Sequence, residues 1–158
     1  MTDTGTMIQD GDIAVIEFTR RLAASPERVW TALTDENELS SWLTERGTFG
    51  NGPGDSLSHD FGEGGTVTGE IITWEPPSLL SYTWVFPDGV ESQVTFELSG
   101  DGEGTLLQLT HERVPIQAAG GYTPGWHAYM DRIDAYVTGQ DVPTWDERFA
   151  VVGPLYQG

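Results

Sequence analysis

The chain of 158 residues carries 25 acidic against seven basic residues, a formal net charge of −18, and every basic residue is an arginine. This length fits one domain that buries its own core, and the lack of cysteine excludes disulfides, thiolate metal sites, cysteine nucleophiles and thiol redox switches. So negative a field repels phosphate backbones and anionic membranes, which disfavours nucleic acid and membrane surfaces as partners.

Residues 1–12 are polar and aperiodic and read as a flexible leader ahead of a domain over 13–140. They show no secretory pattern, and no segment reaches the roughly 18 apolar residues of a membrane span, so the expected location is cytoplasmic. From Ile13 to Leu22 the pattern alternates, with Ile16, Phe18 and Leu22 on one face of a first strand. Ser25-Pro26-Glu27 then combines an N-cap, a proline at the first helical position and an acid in the first turn. This predicts a helix over 26–34 with Val29, Trp30 and Leu33 inward. Asp35 and Glu38 have the spacing of a capping box and open a second short helix carrying Leu39, Trp42 and Leu43.

Between Gly47 and Gly65, seven glycines punctuate short apolar pieces around Phe49, Leu57 and Phe61, which predicts small strands and tight turns. Four strands follow, Thr66–Glu75, Leu79–Phe86, Val90–Leu98 and Thr105–His111, separated by turn residues such as Pro76-Pro77 and Asp88-Gly89. They read as an antiparallel meander. Thr123-Pro124 marks the start of a long last helix, striped by Trp126, Tyr129, Met130, Ile133, Tyr136 and Val137. Ala128 and Ala135 lie opposite that stripe, Asp131 is expected to point outward, and Gly139 ends the helix. The extension 141–158 keeps Trp145, Phe149, Leu155 and Tyr156 and is expected to pack on the same domain, with a short capped segment over 145–152.

These elements define an α+β class. A curved antiparallel sheet of six to seven strands wraps a long C-terminal helix, and two short helices follow the first strand. One helix cannot shield a flat sheet, so the sheet must curl around it, and where the strands diverge a pocket of ligand size opens.

Several phrases carry a resemblance: Ser25-Pro26-Glu27-Arg28-Val29-Trp30 with Ala32-Leu33-Thr34-Asp35 and Trp42; Pro76-Pro77 with Tyr82-Thr83-Trp84; Val94-Thr95-Phe96-Glu97-Leu98; Leu109-Thr110-His111-Glu112; and Gly125-Trp126 with Asp131-Arg132. In number, order and spacing they resemble the Aha-type family, named for an activator of the Hsp-ninety ATPase, within the SRPBCC (START-like, Bet v-like) superfamily. The resemblance spans about residues 13–140 and implies the helix-grip fold with an internal cavity. It implies no single activity, since the superfamily mixes carriers, cyclases, hydroxylase domains and lipid-transfer proteins.

The histidines are His59, His111 and His127; no two stand at i, i+4, and no cluster has zinc spacing, so neither a metal nor a cofactor is expected. His111, His127 and Tyr129 are the candidates for acid–base work at a cavity mouth. The expected cavity wall consists of Trp42, Phe49, Leu57, Trp84, Phe86, Phe96, Trp126, Tyr129 and Met130, with Arg20 as an anchor for a ligand carboxylate. The leading expectation is a small-molecule-binding domain for an apolar or aromatic ligand, in a carrier, sensor or accessory role. A cyclase-, dehydratase- or hydrolase-like enzyme and a protein-interaction or chaperone-associated adaptor are the alternatives, and a homodimer is left open.

Overall fold

The computed structural model describes residues 5–156. Its strands are β1 (Thr6–Asp10), β2 (Ile13–Leu22), β3 (Arg46–Thr48), β4 (Ser56–Asp60), β5 (Thr66–Glu75), β6 (Leu79–Val85), β7 (Glu91–Asp101) and β8 (Gly104–Pro115). They form one antiparallel sheet in the order β1-β2-β8-β7-β6-β5-β4-β3. Helices α1 (Pro26–Thr34) and α2 (Glu36–Trp42) follow β2, α3 (Ile116–Val137) follows β8, and α4 (Trp145–Val152) lies in the C-terminal extension. This is the helix-grip arrangement, an α+β fold with a long C-terminal helix against an open sheet.

The sheet has eight strands where six to seven are expected, because part of the expected leader is a strand. Met7 pairs with Ile16 and Asp10 with Ile13 across a turn in which Gly11 takes a φ of 63°. That left-handed conformation suits glycine in a tight hairpin. Every residue of β1 is exposed, so no buried face imposes an alternation that sequence reading could detect. The remainder of the leader, residues 1–4, lies outside the described residues.

In β2 the buried positions are Ala14, Ile16, Phe18, Arg20 and Leu22, which puts Arg20 on the inner face. β2 pairs with β8 through Ile16↔His111 and Phe18↔Leu109, so the first long strand joins the last and completes the surface around α3. Trp126, Met130 and Ile133 of α3 are buried in one core with Ile16, Phe96 and Leu109. Burial of aliphatic and aromatic side chains of this size contributes about 1.5–3 kcal/mol each, which makes this seam the main source of stability.

Two expectations about α3 are corrected. It begins at Ile116 rather than at Thr123, so Pro124 lies inside the helix, where it removes one backbone hydrogen bond. Ala128 and Ala135, expected on an outer face, are buried as well, because α1, α2 and α4 also pack against α3. The helix is held between the sheet on one side and the shorter helices on the other. Caps fix those shorter helices: Ser25 accepts from the Arg28 N–H, and the Asp35 carboxylate accepts from Asn37 and Glu38. Glu38 then pairs with Arg28 and accepts from the Tyr136 hydroxyl, which joins α1, α2 and α3. Among the described residues, no helix is long and apolar enough to cross a membrane.

Candidate functional site

Where the β4–β5 turn, β6, the first half of α3 and α4 come together, the packing leaves a partly open cavity of about 720 Å³. That volume lies within the range of small-ligand sites. Its aromatic lining is Phe61, Trp84, Tyr122, Trp126, Tyr129, Trp145 and Phe149. The rings touch in sequence around the space: Phe61 to Trp84 at 5.9 Å between centroids, Trp84 to Trp126 at 5.4 Å, and Trp126 to Tyr129 at 6.0 Å. Tyr129 continues to Trp145 at 5.9 Å, and Trp145 stacks on Phe149 at 4.6 Å. Such pairs add to area burial and hold one another in place, so the walls are preorganised.

The polar part of the lining is acidic. Glu45, Glu63 and Asp146 reach the cavity, and no arginine or histidine lines it. Gly62 lets Glu45 approach: its φ is 70°, and a Cβ there would collide with the Glu45 carboxylate. Asp146 lies in the first turn of α4, whose N-terminus is fixed by a reciprocal capping box between Thr144 and Glu147. Burial pushes the Tyr129 hydroxyl well above the usual tyrosine range, with the charge of Asp146 acting in the same direction and Arg132 against it. Arg132 itself is turned away, donating from Nη1 to the Trp42 carbonyl at 2.6 Å and from Nε to the Pro143 carbonyl at 2.8 Å.

Of the wall residues expected from sequence, Trp84, Trp126 and Tyr129 line the cavity, whereas Trp42, Phe49, Leu57, Phe86, Phe96 and Met130 lie in the surrounding core. Trp42 is fully buried and donates its indole N–H to the Ala32 carbonyl at 2.8 Å. Phe49 stacks on His59 and Phe86 on His111, so both back the cavity rather than face it. Sequence reasoning did not place Glu45, Phe61, Glu63, Tyr122, Trp145 or Phe149 in the wall. The surplus of aromatics in the C-terminal extension was the one signal that pointed to the last two.

Behind the Trp84–Trp126 pair, His111 is part of a closed network. Trp126 Nε1 donates to His111 Nδ1 at 3.0 Å. An indole nitrogen only donates, so Nδ1 is unprotonated and Nε2 carries the hydrogen. Nε2 therefore donates to Ser92 Oγ at 2.8 Å, and Ser92 donates to the Trp84 carbonyl at 2.8 Å. Burial lowers the His111 pKa from 6.5 to about 3, so the ring is neutral, and its one lone pair is already occupied by Trp126. Burial lowers the His59 pKa to about 3 as well, and its Nε2 lies 3.3 Å from the Tyr82 hydroxyl.

On the other flank of α3, Arg20 Nη1 bonds to Asp131 Oδ1 at 2.8 Å, and Arg148 Nη2 bonds to Asp131 Oδ2 at 2.6 Å. His127 Nδ1 lies 2.8 Å from the Tyr156 hydroxyl, which accepts from the Gly5 N–H, while Nε2 faces Asp131 at 3.7 Å. Asp131 thus points into a polar junction and not outward, because α4 covers that face. Arg20, expected to meet a ligand carboxylate, meets a protein carboxylate at this junction instead. Neither Arg20 nor His127 lines the cavity.

No curated protein matches the chain. Among solved structures, MLL2253 from Mesorhizobium loti is 26% identical with a TM-score of 0.74, over 80% of this chain and 98% of that one. CalU16 from Micromonospora echinospora is 25% identical with a TM-score of 0.71, over 98% of this chain and 96% of that one. DynU16, from the dynemicin biosynthetic locus, is 26% identical with a TM-score of 0.74, over 85% of this chain and 51% of that one. The model of the family described as activator of Hsp90 ATPase homolog 1-like protein matches residues 23–138, which run from the end of β2 to the end of α3. With that match over most of its length, the chain belongs to the activator of Hsp90 ATPase homolog 1-like family.

Proposed function

We propose that the protein binds a small molecule with substantial apolar or aromatic surface in this cavity, in a carrier, sensor or accessory role. The observation that carries the reading is the aromatic wall: seven rings line a partly open space of about 720 Å³ that no described side chain fills. Six or more rings around one opening offer a ligand area burial and offset stacking together. Family membership supports the same reading, because the helix-grip fold leaves its free volume between sheet and helix. We place this binding in the cytoplasm, and a homodimer stays within the proposal.

A bound ligand stabilises the folded chain by about 2.7 kcal/mol at a hundredfold excess over its dissociation constant. Native mass spectrometry of protein taken from its own source is expected to show a co-purifying molecule, absent from a Trp145→Ala/Phe149→Ala variant. A ligand-free mass throughout, together with no thermal stabilisation by apolar dyes or metabolite extracts, would remove the reading.

A further inference from the structure

Within that binding reading, we propose that the occupant is a cation: an organic ammonium carrying apolar or aromatic groups. Two independent features of the cavity converge on this. The first is the wall, since aromatic rings present electron-rich faces that attract a desolvated cation. The second is the rim, where Glu45, Glu63 and Asp146 all reach the opening. Among the described residues none of these three carboxylates forms an ion pair, although four other acidic residues do.

The distribution of positive charge sharpens the point. Arg20 and Arg148 are engaged by Asp131, Arg28 by Glu38, Arg21 by Asp101 and Arg46 by Asp60. Arg132 lies close enough to influence Tyr129, but it donates from Nε and Nη1 to the Pro143 and Trp42 carbonyls, and neither it nor Arg113 lines the cavity. The charged groups of the lining are therefore all acidic, and a cation would supply the opposite charge. The Tyr129 hydroxyl makes no hydrogen bond among the described residues; as a neutral phenol it both donates and accepts, so it accommodates a cation without selecting for one. An anion would meet the three exposed carboxylates at the mouth, whose field disfavours its entry. A neutral molecule of the same shape would gain area burial alone.

The test titrates the full chain with phenyltrimethylammonium, with its neutral isostere tert-butylbenzene, and with benzenesulfonate. Tryptophan emission reads binding directly, because Trp84, Trp126 and Trp145 line the cavity. The cation is expected to bind about tenfold tighter than the isostere, and the sulfonate not at all. In a Glu45→Gln/Glu63→Gln/Asp146→Asn variant, whose circular dichroism verifies folding, the cation is expected to lose about tenfold while tert-butylbenzene is unchanged. Binding of the isostere as tightly as the cation, or a cation affinity indifferent to the triple substitution, would overturn the cationic assignment and leave the apolar pocket standing. No response to any of the three would overturn both.

Discussion

The two polar neighbourhoods beside α3 are built from similar residues and solved in opposite ways. In the interior and on the β2 flank, His111, Arg20 and Asp131 meet protein partners at 2.6–3.0 Å, and His111 has both ring nitrogens occupied. On the cavity flank, Glu45, Glu63, Asp146 and the Tyr129 hydroxyl border open space. The lesson is that buried polar groups satisfied by the protein stabilise the fold, whereas the exposed carboxylates at the rim of the cavity have no protein partner among the described residues to lose. Substitutions on the first side should therefore be felt in stability, and substitutions on the second in binding.

Acid should have the largest effect. Unfolded imidazoles titrate near 6.5, whereas His59 and His111 are lowered to about 3, so between those values the unfolded chain holds the extra protons. Stability is then expected to fall as pH falls, by up to about 1.4 kcal/mol per pH unit for each histidine. Thermal unfolding followed from pH 7.5 to pH 4 checks this, with His59→Leu expected to halve the slope; a flat profile would break the comparison. Next comes Asp131→Ala, which removes the carboxylate shared by Arg20 and Arg148 and should cost about 3 kcal/mol in urea unfolding.

Ser92→Ala should be milder, about 1–2 kcal/mol, because it strips the acceptor from His111 Nε2 while leaving the packing of the ring intact. Smallest of all should be Tyr129→Phe, within about 0.5 kcal/mol, since its hydroxyl has no partner to lose among the described residues. A large destabilisation there would show that the cavity flank is as structural as the other. Loss of cation affinity with unchanged stability would sharpen the distinction instead.

How far the sequence reveals this depends on what kind of signal each residue carries. The caps at Ser25 and Asp35, the alternation in β2 and the 145–152 segment are local patterns, and they are visible in the chain as written. Strand alternation reports that Phe96 and Trp84 both point inward. It does not report that Phe96 meets the body of α3 and Trp84 meets the opening beside it. That choice depends on how far the sheet parts from the helix, a property of the assembled layers. Asp131 is a related case: helical phase alone does not report that the inner face of β2 brings it Arg20 and that the return of α4 adds Arg148 to the same carboxylate. The eight-residue α4 also supplies wall residues that no periodicity in the 13–140 region foreshadows.

The match to the family model stops at residue 138, yet Trp145, Asp146 and Phe149 form one side of the opening. In the proposed binding reading, selectivity is partly encoded in a C-terminal segment fastened by the Arg148–Asp131 pair and by the Pro143 carbonyl, which accepts from Arg132. Grafting a different short helix behind those two fasteners would retune cargo choice without repacking the barrel-like grip, which makes this terminus the natural place for divergence between relatives or for redesign.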